Sequence, residues 1–212
     1  MKPGQIFVVD DHPLIRKGLC DAIHAEPDLC VSGEAGGDQE ALRALCSAKP
    51  DVLVLDLNLK DGSGWDLLQH LQSKKILPPT LVLSVCDEEV YAQRLLDSGA
   101  SGYLMKDEPI DQVLKAIRKI LAGHLAFSDA MTSKLLKSDT PQPAPPLAEL
   151  SDRELQVYEM LRQSLSNKNI GERLGISPKT IGTYKARLME KLGVRNTHEL
   201  FNQTHITRSD PT

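Results

Sequence analysis

The chain reads as an α/β part, built on a five-stranded, parallel, doubly wound sheet, followed by an all-α part of four short helices. Three observations predict this. Short apolar runs alternate with helical patterns five times in the first 126 residues. A proline-rich stretch then breaks the pattern, and after it no strand signal survives.

The strand candidates are 5–9, 29–34, 51–55, 80–84 and 101–105; four of them contain short apolar runs, Ile6 to Val9, Val52 to Leu55, Leu81 to Leu83 and Tyr103 to Met105. Such runs mark parallel strands buried on both faces. Helical candidates lie near 13–25, 38–48, 64–73, 87–97 and 109–122; in the last, Val113, Leu114, Ile117, Ile120 and Leu121 follow i, i+3, i+4 spacing. Strand–helix alternation implies right-handed crossovers with helices on both faces of the sheet. Ser138 to Pro146 reads SDTPQPAPP, four prolines in nine residues, a semi-rigid extended spacer. The expected division is therefore 1–126, a linker over 127–147, and 148–212.

Composition bounds the function classes. The 212 residues are 41% hydrophobic and 25% charged, an ordinary globular balance. No apolar stretch approaches a membrane span and no leader pattern opens the chain, so a cytoplasmic protein is expected. Cys20, Cys30, Cys46 and Cys86 form no CxxC pair or Cys/His metal spacing and read as small buried hydrophobes of a reducing compartment. The net charge of −4 hides an asymmetry: residues 1–140 carry 15 Lys and Arg against 21 acids, whereas residues 141–212 carry 10 against 8. Different partners for the two parts follow.

Five residues carry the chemistry of the first part. Asp10 and Asp11, Asp56, Ser84 and Lys106 each follow or end an apolar run, and ligands of open α/β sheets bind outside the carboxyl ends of the strands. One fold would thus gather three carboxylates, a hydroxyl and an ammonium. A carboxylate that attacks phosphorus must meet an anionic donor, so a hard cation has to neutralise the repulsion. Asp56, alone after the central strand, is the expected nucleophile. Asp10 and Asp11 would hold Mg²⁺, with Asp56 and the backbone carbonyl of Asn58 completing the ligands. Lys106 would pair with phosphoryl oxygens as a point charge, and Ser84 would donate its hydroxyl. The plainer expectation for Asp10 and Asp11 alone is a pair of helix caps and solvated turn residues.

The motifs DDHPLIRKGL, DVLVLDLNLKDGSGWDLL, LVLSV and GASGYLMKDE, in order over roughly residues 4–125, resemble the receiver domain of bacterial response regulators of the LuxR/FixJ type (NarL-like). The resemblance implies a flavodoxin-like receiver, phosphorylation of Asp56 by a sensor histidine kinase, Mg²⁺ at Asp10 and Asp11, and phosphoryl contacts from Ser84 and Lys106. It also implies that Tyr103 is the aromatic switch; a strand aromatic packed at the sheet edge is the alternative. Two departures stand out. Lys60 replaces a common proline, and Asp107 follows Lys106 where many receivers have a cis proline, leaving that peptide's isomer open.

In the second part, Ser151 and Glu154 form a capping box. Asn167 to Leu174 is a short helix stopped by Gly175. Ser177 caps the next helix, which has Pro178 at its first position and runs to Leu192 before Gly193. Ile181, Leu188 and Leu192 make its apolar stripe, leaving Lys179, Thr180, Thr183, Tyr184 and Arg187 on another face. Two helices around a tight glycine turn, the second cationic, describe a helix-turn-helix able to enter a major groove. SNKNIGERLGISPKTIGTYKARLMEKLGVRN closely resembles the LuxR-type DNA-binding domain over roughly 147–208. By matching positions, those five residues lie on the recognition helix, while Lys168, Lys191 and Arg195 are candidate phosphate contacts. A last helix near Thr197 to Gln203 is where relatives dimerise. Gly182 lacks a cation or hydroxyl common in the family. Gly171 stands where alanine is usual, at about 1 kcal/mol of helix propensity.

Together these imply a two-component response regulator in which phosphorylation of Asp56 controls sequence-specific binding of double-stranded DNA and transcription. The expected partners are a sensor histidine kinase, DNA and a second copy of the chain when phosphorylated, with RNA polymerase a candidate. Two rival classes stand beside this: a phosphotransferase or phosphatase with an aspartyl intermediate, disfavoured by Asn58 where hydrolases place a second acid, and a phosphorylation-independent DNA-binding or scaffold protein with a degenerate receiver.

Overall fold

Valine, isoleucine and leucine runs set the centre of the first unit. The computed structural model describes residues 2–59, 63–84, 88–128, 132 and 150–202. The chain divides into two units, 1–140 and 141–212. In the first, strands β1 (Gly4–Val9), β2 (Leu29–Ala35), β3 (Val52–Asp56), β4 (Thr80–Ser84) and β5 (Gly102–Met105) alternate with helices α1 (Pro13–His24), α2 (Asp38–Ala48), α3 (Gly64–Ser73), α4 (Glu88–Asp97) and α5 (Ile110–Leu121). The strands form one parallel sheet in the order β2-β1-β3-β4-β5. Expected boundaries are met within a residue or so. Every residue of β3 and β4 is buried, which explains runs with no polar alternation. One core layer joins Ile6, Val8, Val52, Val54 and Leu81 to Val113, Ile117 and Ile120 of α5.

That strand order reverses direction between β1 and β3, making the crevice at their carboxyl ends the topological switch point. Asp10 follows β1 and Asp56 ends β3, so the fold brings both to the crevice. Packing in this unit continues past residue 126. Ala126 N–H donates to Ser101 O (2.8 Å), Tyr103 N–H donates to Ala126 O (3.0 Å), and Phe127 is buried. The linker expected from 127 therefore begins with a buried apolar residue, directly after the one bridged to the sheet edge. A short helix considered around Met131 to Lys137, and the Pro-rich stretch, fall outside the described residues apart from Thr132. Cys20 is buried, and burial with a hydrogen bond to Glu34 pushes its thiol up to about 12. Cys46 is exposed instead, because it sits on the solvent side of the amphipathic α2. Cys86 lies outside the described residues.

The second unit contains α6 (Asp152–Arg162), α7 (Asn167–Leu174), α8 (Pro178–Lys191) and α9 (Thr197–Asn202). The capping box forms as expected: Ser151 Oγ accepts from Glu154 N, and Glu154 Oε2 accepts from Ser151 N at 2.8 Å. Gly175 (φ 64°) and Gly193 (φ 63°) adopt the left-handed conformation that ends a helix cheaply only for glycine. Leu155, Tyr158, Ile170, Leu174, Ile181, Leu188 and Leu200 make the core, while Leu192 is half-buried at the cap of α8. Gly171 has a packing reason. A Cβ there would lie 2.6 Å from Ile176 O and 3.3 Å from Pro178 N, so the missing side chain lets α7 pack closely on the turn leading into α8. The propensity lost in the helix is exchanged for that approach.

Candidate functional sites

At the crevice the five expected residues are largely brought together. Lys106 Nζ reaches from the end of β5, past β4, to 2.7 Å from Asp56 Oδ2 and 2.8 Å from Asp10 Oδ2. Its backbone is set by a bond from Lys106 N–H to Ser84 O (2.8 Å), which ties the two strand ends. Ser84 is fully buried as the last residue of β4, one position beyond Leu83, the register partner of Asp56. Asn58 N–H donates to Asp56 Oδ1 (3.0 Å), fixing the carboxylate's other oxygen. Arg16 Nη1 donates to the Asp10 carbonyl (2.6 Å), anchoring the turn before α1.

Asp10 and Asp11 are not helix caps. The cap position of α1 is His12, with no side-chain capping bond, and Asp10 Oδ1 instead accepts from His12 N–H at 2.7 Å. Both aspartates are buried, as is Asp56 at 1% exposure. Asp56 Oδ2 pairs with the Lys106 ammonium at 2.7 Å, and Asp11 Oδ1 lies 2.6 Å from His12 Nδ1. Three carboxylates buried around one ammonium leave excess negative charge out of water, a cost that a bound cation would offset. Oxygen-rich donors suit a hard divalent cation, and donor atoms of Asp10, Asp11, His12 and Asp56 all lie within 4.8 Å of one another. The residues present therefore fit a metal ion.

Burial pushes the Asp56 carboxyl up to about 6; the attraction of Lys106 pulls the other way, and Asp10 adds repulsion. For Lys106, burial works against the charge, but Asp56 and Asp10 outweigh it and hold the ammonium above its usual range. Tyr103 is buried within β5. The Lys106–Asp107 peptide is trans. Lys60 lies outside the described residues.

Two functional features escaped sequence reading. His12 stands at the mouth, its Nδ1 2.6 Å from Asp11 Oδ1; a histidine directly after two candidate metal ligands was the available signal. Gly64 is the other. A Cβ on it would fall on the Asp56 carbonyl oxygen and within 2.7 Å of Leu57 Cα, and its N–H donates to Leu57 O (3.0 Å). It lets the start of α3 lie against the end of β3.

In the second unit, Ser177, Lys179, Thr180, Thr183, Tyr184 and Arg187 line one open concavity of about 300 Å³. Lys179, Thr180, Thr183 and Arg187 are exposed, and Tyr184 is half-buried. Thr180 Oγ1 is 2.8 Å from the Ser177 cap oxygen, and Thr183 Oγ1 donates to Lys179 O (3.3 Å), so both hydroxyls have local partners. Lys168 and Arg195 are exposed. Lys191 is placed differently from a free phosphate contact: its Nζ lies 2.6 Å from Glu154 Oε2. Burial alone would raise Glu154, but its bonds with Lys191 and Ser151 win and hold it below the usual range. The ion pair ties the start of α6 to the end of α8.

A doubly wound sheet with an acidic crevice, joined to a helix-turn-helix, defines a receiver coupled to a DNA-binding domain. Comparison with known proteins agrees. Residues 6–118 match the family model described as response regulator receiver domain, and residues 148–203 match that of bacterial regulatory proteins, luxR family. The chain belongs to the two-component response regulators with a LuxR-type DNA-binding domain. It is 35% identical to the DNA-binding transcriptional activator DevR/DosR of Mycobacterium tuberculosis over 98% of this chain and 97% of that protein. It is 36% identical to the nitrate/nitrite response regulator protein NarP of Escherichia coli over 92% and 91%. Among solved structures, the response regulator ChrA of a heme-sensing two-component system aligns with TM-score 0.51 at 27% identity, covering 98% of this chain and 99% of that one. Among the described residues, no helix is long and apolar enough to cross a membrane.

Proposed function

We propose that this chain is a cytoplasmic transcription regulator whose DNA binding is switched by phosphorylation of Asp56. The observation that carries the reading is Lys106 held between Asp56 and Asp10 at a crevice of three buried carboxylates. With its carboxyl near 6, Asp56 is mostly ionised at neutral pH. One of its oxygens attacks the phosphorus of a kinase phosphohistidine. The P–N bond breaks with its electron pair left on the imidazole, and an acyl phosphate forms. Asp10, Asp11, Asp56 and the Asn58 carbonyl would hold Mg²⁺, which would neutralise charge on the incoming phosphoryl group. Lys106 Nζ transfers from the carboxylate to a phosphoryl oxygen, and the Ser84 hydroxyl donates to another. The chain is thus an acceptor of its partner's phosphoryl group, with only self-phosphorylation and dephosphorylation of its own.

Phosphorylation adds roughly two negative charges and three acceptor oxygens. Movement of Ser84 and Lys106 toward them, with Tyr103 buried behind, remodels the face of α4, β5 and α5 and favours a dimer that presents two recognition helices. In the second unit, Lys179 and Arg187 contact DNA, with Thr180, Thr183 and Tyr184 in the same concavity, and Lys168 and Arg195 contact phosphates. The proposed domain limits are 1–126 and 148–212, with a linker whose first residue, Phe127, packs on the receiver. Fluorescence anisotropy on a duplex library, with and without a phosphoryl donor, tests the reading. The phosphorylated chain should select specific duplexes and bind them tighter; equal binding by both forms would contradict the switch.

A further inference from the structure

We infer that His12 is a further protein ligand of this site, beside the three aspartates and the Asn58 carbonyl, and shifts its cation preference from Mg²⁺ toward divalent ions that accept nitrogen, such as Co²⁺ and Ni²⁺. The inference rests on the acidic crevice being the metal site and adds a donor of a different class to it. His12 Nδ1 is the ring nitrogen turned inward, 2.6 Å from Asp11 Oδ1, 3.2 Å from Asp10 Oδ1 and 3.9 Å from Asp56 Oδ2. Its position is built rather than incidental. His12 N–H is fixed to Asp10 Oδ1, and Pro13 begins α1 immediately after it. The side chain is half exposed while the three carboxylates are buried, so the imidazole closes the solvent side of the cluster.

All four donors lie within 4.8 Å of one another, slightly beyond the roughly 4.4 Å that ligands on opposite sides of one ion at about 2.2 Å can reach, so small side-chain shifts bring them onto a single ion. Oxygen donors alone suit Mg²⁺, which keeps much of its water. An imidazole suits the later first-row metals, whose affinity rises toward Ni²⁺ and Cu²⁺. One nitrogen among oxygens therefore widens the gap between Co²⁺ and Mg²⁺. A ring that only hydrogen-bonds Asp11 has another signature: its loss changes both affinities in the same proportion, because no nitrogen leaves the ion.

The test is isothermal titration calorimetry of the full chain with MgCl₂ and with CoCl₂, on wild type, His12→Ala and Asp11→Asn, paired with the visible d–d absorption of bound Co²⁺. Only heat that disappears in Asp11→Asn is assigned to the crevice, which separates it from other histidines. The expected result is a Co²⁺-over-Mg²⁺ preference that falls roughly tenfold or more in His12→Ala, with the Co²⁺ bands moving to the weaker field of an all-oxygen site. An unchanged preference and unchanged bands overturn the role of His12 while leaving the acidic site intact. Binding of both ions that survives Asp11→Asn overturns the crevice as the metal site, and His12 with it.

Discussion

The Lys106 ammonium stands 2.7 Å from the Asp56 carboxylate, although the strands that carry them are separated by β4. Its second contact, 2.8 Å to Asp10, makes it the internal counter-charge of the crevice. The fold sets Asp10 and Asp56 side by side at the ends of β1 and β3, and Lys106 offsets part of their mutual repulsion.

Lys106→Ala should destabilise the metal-free protein by about 3 kcal/mol, since it leaves buried acids without their cation. Saturating Mg²⁺ should restore more stability to this variant than it adds to wild type, because the ion supplies the missing charge. Urea melts in EDTA and in Mg²⁺ measure both. A loss of the same size in the two buffers would show that Lys106 matters only for packing.

Asp56 gives a pH signature. Its carboxyl is raised from 3.8 to about 6 in the folded state, so the folded protein holds the proton more tightly than the unfolded chain. The penalty for ionising it is absent below about pH 4, grows between the two values and is complete above about 6, where it amounts to about 3 kcal/mol. Asp56→Asn mimics the protonated group. In EDTA its melting temperature should exceed that of wild type at neutral pH, and the two should converge near pH 4. A constant difference across that range would place the raised carboxyl elsewhere.

Gly64→Ala forces a methyl group onto the Asp56 carbonyl. The start of α3 must retreat, at a cost of about 2 kcal/mol, and acceptance of phosphate should slow because the Asp56–Asn58 loop moves with it. Denaturant melts and phosphorylation time courses check this; an alanine tolerated in both would mean that the loop has room to yield.

For DNA binding, Lys179→Ala and Arg187→Ala should weaken duplex affinity. A residue that contacts a phosphate lowers the salt dependence by about one unit of log–log slope, whereas one that reads a base relaxes sequence preference. Lys191→Ala should behave otherwise. Its ammonium pairs with Glu154, so the main loss should be in the stability of the helical unit. Titrations at several salt concentrations, alongside thermal melts, separate the two behaviours.

The strands were legible because β3 and β4 are buried on both faces, and the crevice was legible because strand ends in this fold converge. Caps and stops were equally readable: Ser151 with Glu154, and Gly175, act through local backbone chemistry. What stayed hidden depended on contacts distant in sequence or on space. Gly171 looked like a pure propensity cost until Ile176 O was seen 2.6 Å from where its Cβ would stand. Lys191 looked like a phosphate contact because its partner, Glu154, lies 37 residues away. Phe127 looked like linker because nothing local shows that Ala126 bridges to Gly102. His12 stayed hidden because nothing in the sequence shows its ring turned toward the aspartates, 2.6 Å from Asp11 Oδ1.

The measurement that bears most directly on the central claim is intact mass after incubation with acetyl phosphate and Mg²⁺, for wild type and Asp56→Ala. Wild type should gain one phosphoryl group and the variant none. An equal gain in both, or no gain in a folded wild type offered candidate kinases as well, would contradict Asp56 as the phosphoacceptor.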